Sequence, residues 1–205
     1  MTLIAKDTTV KREPIPAGSY VGRCVGLVDL GSQYTEQFEK WYPKVCILWE
    51  LPDFTYEDGD GNTRARMISG IYTNGLSEKG NLRKLLEAWR GKPFSQEELK
   101  GFDLRVLLGL PCMVSIVHQQ SGDNVYENIN AVMKMMAGVP EKPQMNPLLL
   151  FDLDSKSALK DLELLPDWLA DKVRNSKEWQ EIEAGTLDES NEPLLGEDAE
   201  EDLPF

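Results

Sequence analysis

The sequence predicts a mainly β fold with α: a five-stranded barrel in the order β-β-β-α-β-β, then a short helical extension and a disordered acidic tail. Three observations carry this reading. Five strand-like stretches separated by turn signals lie between residues 18 and 133, one amphipathic helical stretch interrupts them, and the acidic charge is concentrated in the last third. The chain has 205 residues, 41% of them hydrophobic and 28% charged, so it can bury a core and is not wholly disordered.

Gly18 to Leu30 reads as one long strand, with Gly22 and Gly26 spaced through it as bending points. Polar residues and four aromatics (Tyr34, Phe38, Trp41, Tyr42) then break the pattern, and Lys44 to Leu51 resumes it, with Val45, Ile47, Trp49 and Leu51 on one face. Asp58-Gly59-Asp60-Gly61-Asn62 is a turn signal that joins this strand to a third, Thr63 to Tyr72. In the third strand Arg64, Arg66 and Tyr72 are expected to face outward, away from Ala65, Met67 and Ile71. Ser77 is placed to cap a helix from Glu78 to Trp89, where Leu82, Leu85, Leu86 and Trp89 recur at helical spacing and Gly91 and Pro93 end it. Ser95 caps a shorter turn, Gln96 to Lys100. Two further strands, Pro111 to Gln119 and Tyr126 to Met133, are joined by Ser121-Gly122-Asp123-Asn124. That element order is the order of the OB barrel, with an antiparallel α+β sandwich as the alternative.

Residues 1–137 are therefore expected to form the β domain and 138–182 a proline-rich linker with a short helical extension. In the extension Pro166 starts a helix, and Trp168, Leu169 and Val173 share a face that packs on the barrel or on a second subunit in a homo-oligomer. Residues 183–205 carry nine acids, no Lys or Arg, and several Gly, Ser, Asn and Pro, the composition of a disordered tail. The formal net charge of −13 is unevenly spread. Residues 1–142 hold 17 basic against 18 acidic side chains and residues 143–205 hold 5 against 17, while Arg64 to Arg105 holds nine basic against five acidic. The middle of the chain can thus meet phosphate.

Enzyme chemistry finds no support in the motifs. His118, the only histidine, sits inside an apolar strand with no nucleophile signature near it, and the Asp58 to Asn62 turn has no glutamate to close a calcium loop. There is no Walker A loop, G-x-S-x-G or H-E-x-x-H, so no catalytic residue, metal ligand or cofactor is expected. Cys24, Cys46 and Cys112 lack zinc or redox spacing and read as reduced core residues. No apolar run is long enough to span a bilayer and the N-terminus does not read as a secretory signal, so a cytoplasmic location without membrane contact is expected.

Binding is better supported. Tyr34, Phe38, Trp41 and Tyr42 are interleaved with Lys40 and Lys44, and rings beside cations suit a single nucleic-acid strand, whose bases expose their π-faces only when unpaired. For Phe38 and Trp41, three apart, the competing reading is a plug at one end of the barrel. Arg64, Arg66 and Tyr72 would add phosphate contacts and a stacking platform, Lys79 and Arg83 a basic track on one helix face, and Tyr126 a further ring. The competing reading for the charged ones is a solvated surface.

The pieces together resemble the single-stranded DNA-binding proteins of bacteriophages and bacteria: an OB domain followed by an acidic tail closing in Glu200-Glu201-Asp202-Leu203-Pro204-Phe205. In that family the tip docks on replication, recombination and repair enzymes, a role the resemblance assigns to Asp198, Glu200, Glu201, Asp202, Leu203, Pro204 and Phe205, with leucine in place of the usual isoleucine at 203. It also implies residence in the bacterial host cytoplasm and a non-catalytic, sequence-tolerant protein that coats single-stranded DNA. Nine tail carboxylates can compete with phosphates for the same groove. The rival expectation is an acidic protein-interaction module, or DNA mimic, that inhibits a host DNA-processing enzyme.

Overall fold

Two antiparallel strands that are apolar on both faces organise the molecule. The computed structural model describes residues 13–122 and 124–189, except the side chains of 124 and 186–189. β1 (Gly18–Thr35) and β2 (Lys40–Glu57) pair along most of their length, and each is followed to one side by a further strand. β3 (Thr63–Thr73) pairs with β2, and β4 (Pro111–Ser121) pairs with β1 and then with β5 (Asn124–Met133). The hydrogen-bonded order is β3-β2-β1-β4-β5, antiparallel throughout, so the fold is mainly β with α. β3 and β5 form the two edges, and no backbone ladder joins them, so the sheet is open.

The first two strands run further than their apolar cores indicate. Residues 31–42, expected as a break, continue β1 to Thr35 and start β2 at Lys40, joined by a single 3-10 turn, Glu36–Phe38, and by Glu39 in the left-handed region at φ 50°. β1 is irregular beside Gly26 but not at Gly22, with register shifts between Cys24 and Gly26 and between Asp29 and Ser32. The first shift lets one edge of β1 serve two neighbours: β4 along Gly18 to Arg23, and a short parallel strand, β6 (Leu149–Phe151), along Gly26 to Val28. A side chain at position 26 would collide with Leu48 Cδ1 and lie 3.1 Å from Leu48 Cβ, so the glycine sets how closely β2 can cross.

Each face of this pair carries its own core. On one, Cys24, Leu27, Val45, Ile47, Trp49, Leu51 and Ile68 meet Val114, Ile116 and Val132 and the buried face of α1 (Asn81–Arg90), which presents Leu82, Leu86 and Trp89. The helix begins three residues later than its pattern suggests, because Ser77 to Gly80 closes a turn of its own, with the Gly80 N–H donating to the Ser77 carbonyl. It ends where expected: Gly91, at φ 68°, donates back to the Glu87 carbonyl. Ser95 and Glu98 then exchange bonds as a reciprocal cap on the following 3-10 turn. On the other face Val25, Val28, Leu30, Cys46 and Leu48 are covered by Phe151, Leu153, Leu162, Leu169, Val173 and Trp179, from β6, α2 (Ala158–Asp161), the 3-10 turn that follows it, α3 (Asp167–Arg174) and α4 (Lys177–Glu189). The extension therefore packs on the sheet itself. Within it Trp168 is 43% exposed while Leu169 and Val173 are buried, so the three do not share one face.

Residues 138–147 are not a loose linker. The buried Glu50 carboxylate accepts the Met145 and Asn146 N–H groups at 3.1 and 2.8 Å, Asn146 Nδ2 donates to the Ala65 carbonyl, and Arg23 donates to the Lys142 carbonyl at 2.9 Å. Residues 183–189, placed in the tail by composition, extend α4. The three cysteines are free and buried, and burial pushes the Cys24 and Cys46 thiols up to about 12 and raises Cys112 as well. Among the described residues no helix is long and apolar enough to cross a membrane, and no cluster of three His, Cys, Asp or Glu is placed to hold a metal.

Candidate nucleic-acid interface

The tip of the β1–β2 hairpin carries rings that the core does not absorb. Tyr34, Phe38 and Trp41 are 50, 56 and 43% exposed, which overturns the reading of Phe38 and Trp41 as a barrel plug. Tyr34 and Trp41 are directly opposite across the hairpin, ring centroids 5.4 Å apart, and Phe38 meets Tyr42 edge-on at 6.3 Å. Glu36 and Glu39 share this tip with Lys40, so the tip itself offers rings rather than positive charge.

The charge lies one step inward, in a groove of about 740 Å³ between the hairpin, the end of β3 and the start of α1. Phe38, Tyr42, Lys44, Ile71, Tyr72 and Lys79 line it. Lys44 Nζ donates to Thr73 Oγ1 at 2.8 Å and sits 5.7 Å from the Tyr42 ring centroid, which fixes the ammonium at the groove wall. The structure thus brings Tyr42, Lys44, Tyr72 and Lys79 together, with Tyr34 and Trp41 beside them on the hairpin.

The arginines do something else. All seven among the described residues are in ion pairs with carboxylates. Arg64 Nε donates to Asp58 at 2.9 Å, and this bond, with the Asn62 N–H, holds the Asp58 carboxyl down to about 2. The acidic turn is therefore satisfied by its own neighbours. Arg66 donates to Glu127 at 2.9 Å and to the Glu13 carbonyl at 2.8 Å, and Arg83 donates to Glu87 at 2.9 Å. Arg83 is also separated from Lys79, which precedes α1 and does not share its face.

Of the lysines, Lys40, Lys44, Lys79 and Lys84 have no ion-pair partner among the described residues, and neither do Lys134, beside Gly91, or Lys156, Lys160 and Lys172 on the extension. Free positive charge at the groove is carried by lysine alone. The faces of β3 also differ from expectation. Met67 and Ile71 are exposed, while Tyr72 turns inward, packing edge-on against Trp49 at 6.5 Å, its ring over Gly70. A side chain at position 70 would collide with that ring. Tyr72 is the groove floor rather than an outward platform, and burial pushes its phenol up to about 12. Tyr126 is exposed on β5 and does not line this groove.

Three contributors escape a linear reading. Ile71 lines the groove although it reads as core, Phe38 lines it although a barrel plug competes with that reading, and Lys84, outside this groove, has no ion-pair partner among the described residues because the i,i+4 pair Arg83–Glu87 takes the one carboxylate three residues from it. That last signal is present in the sequence. Asp198, Glu200, Glu201, Asp202, Leu203, Pro204 and Phe205 lie outside the described residues. No protein-family model matches the chain, and no curated protein matches it.

Proposed function

We propose that the protein is a non-catalytic, sequence-tolerant single-stranded DNA-binding protein of replication or recombination, which recruits partner enzymes through its acidic C-terminal tip. The observation that carries this is the groove in which the Phe38, Tyr42 and Tyr72 rings stand beside Lys44 and Lys79, neither of which has an ion-pair partner among the described residues. Rings stack on any base and ammonium groups neutralise any phosphate, so such a surface binds strands without reading sequence. The strand order β3-β2-β1-β4-β5, with its two edges side by side and a helix between β3 and β4, supports a partly open OB barrel as the scaffold. The resemblance of the last residues to the docking tip supports the recruiting role and the bacterial cytoplasm as the place of action.

Fluorescence anisotropy of a labelled oligo-dT against the full chain, with duplex of equal length as competitor, tests the reading. Strand-selective binding is expected, with log affinity falling at about −0.7 per neutralised phosphate against log salt. Phe38→Ala should weaken it by about 5- to 100-fold, the loss of one stacked base. No binding, or binding indifferent to salt, overturns the proposal and leaves the groove as a protein-contact surface.

A further inference from the structure

A second groove, about 380 Å³, opens between α1 and the unjoined edges of β3 and β5, lined by Tyr72, Asn81, Lys84, Leu85, Ala88 and residues 129–132 of β5. Tyr72 and Asn81 line this groove and the larger one alike. The two grooves are therefore neighbours, with Tyr72 and Asn81 at their common border. The missing ladder between β3 and β5 creates the second groove: where a closed sheet would put backbone hydrogen bonds, this one leaves a slot walled by a helix.

We propose that a bound single strand passes from the hairpin groove over Tyr72 and along this seam, where Lys84 neutralises a phosphate and the Asn81 and Asn130 amides offer hydrogen bonds. The inference rests on the single-strand reading of the hairpin groove and adds a direction to it. Two features of the slot fit a nucleotide strand. Lys84 is exposed and has no carboxylate partner among the described residues, so its charge is available without breaking a contact. Leu85, Ala88 and Ile129 give the slot an apolar lining beside that charge, the mixture a base and its phosphate require. The opposite end of the seam is closed to such a path. There the chain at residues 13–16 fills the gap, with Arg66 bonded to Glu127 and to the Glu13 carbonyl, Glu127 accepting the Ile15 N–H at 2.6 Å, and His118 Nε2 2.7 Å from the Ile15 carbonyl. A strand that enters at the hairpin therefore leaves along α1.

Length dependence tests this with the full chain. Labelled oligo-dT of about four and about sixteen nucleotides brackets the range of OB site sizes. Lys84→Ala and Asn130→Ala, both at exposed positions, should leave the affinity for the short oligonucleotide within twofold. For the long one each should weaken binding by about 3- to 10-fold, and Lys84→Ala should reduce the salt slope by about 0.7. Lys160→Ala, on the extension and with no ion-pair partner among the described residues, should alter neither. If wild type binds and both variants match it at both lengths, or lose equally at both lengths, the path along α1 is wrong while the hairpin groove stands. If wild type binds neither oligonucleotide, the underlying reading fails instead.

Discussion

Tyr72 stands at the boundary between core and groove, and its ionisation reports on both. Its ring is wedged between Trp49 and the backbone at Gly70, and burial disfavours the phenolate enough to push the phenol up to about 12. Below pH 10 the group is neutral in both folded and unfolded chains, and its contribution to stability is fully present. Between pH 10 and 12 the unfolded chain loses the proton while the folded chain keeps it, so stability falls as pH rises through that window. The phenolate absorbance of wild type minus that of Tyr72→Phe should show one group with a midpoint near 12. The fall in unfolding free energy above pH 10 should also be shallower in the variant. A midpoint at the free-tyrosine value would mean that the ring is open to water and is not the floor of the groove.

Elements here are shaped by how closely they approach one another. Because Leu48 is buried against the second core, it cannot swing aside for a methyl group at position 26, and Gly26→Ala should cost about 1–3 kcal/mol. Urea unfolding should show this as a lower midpoint at unchanged slope, and Gly26→Ala combined with Leu48→Ala should be less than additive, since the second change removes the obstacle. Additive losses would place the strain elsewhere. The irregularity beside Gly26, the apolar face Val45, Ile47, Trp49 and Leu51, and the stop at Gly91 are all written in the sequence, because each depends on local chemistry. The faces of β3 are not. Beside the register shift between Leu51 and Thr55 on β2, Ala65 and Ile68 are both buried, so from Met67 onward the alternation runs in the opposite phase, with Ile68 and Tyr72 inward and Met67 and Ile71 outward. Ion pairing is equally hidden: Arg64 and Arg66 read as free cations until Asp58 and Glu127, the latter 61 positions away, are brought beside them. The rings of the hairpin were legible as a group, whereas the groove they border needed α1 to be laid against β3 and β5.

At the scale of the whole molecule the acidic C-terminal third is part of the fold for much of its length. Residues 148–182, too few to make a core alone, complete a face of β1 and β2 that is otherwise bare. Val25, Val28, Leu30, Cys46 and Leu48 are each at most 4% exposed under this cover. At roughly 1.5–3 kcal/mol for each fully buried large apolar side chain, uncovering these five costs on the order of 10 kcal/mol. That is comparable to the entire stability of an ordinary domain, about 5–15 kcal/mol. A chain ending at residue 147 should therefore show no cooperative thermal transition by circular dichroism, even though it retains every strand from β1 to β5, α1 and the groove. A chain ending at residue 189 keeps every described contact and should melt cooperatively, close to the full-length protein. If the shorter chain folds and melts near the full-length temperature, the β domain is self-sufficient and the extension is an attachment rather than half of the structure. If it fails as expected, any test of the proposed nucleic-acid interface by truncation will lose the groove with the fold, and point substitutions at the exposed Phe38, Lys79 and Lys84 are the means of separating binding from stability.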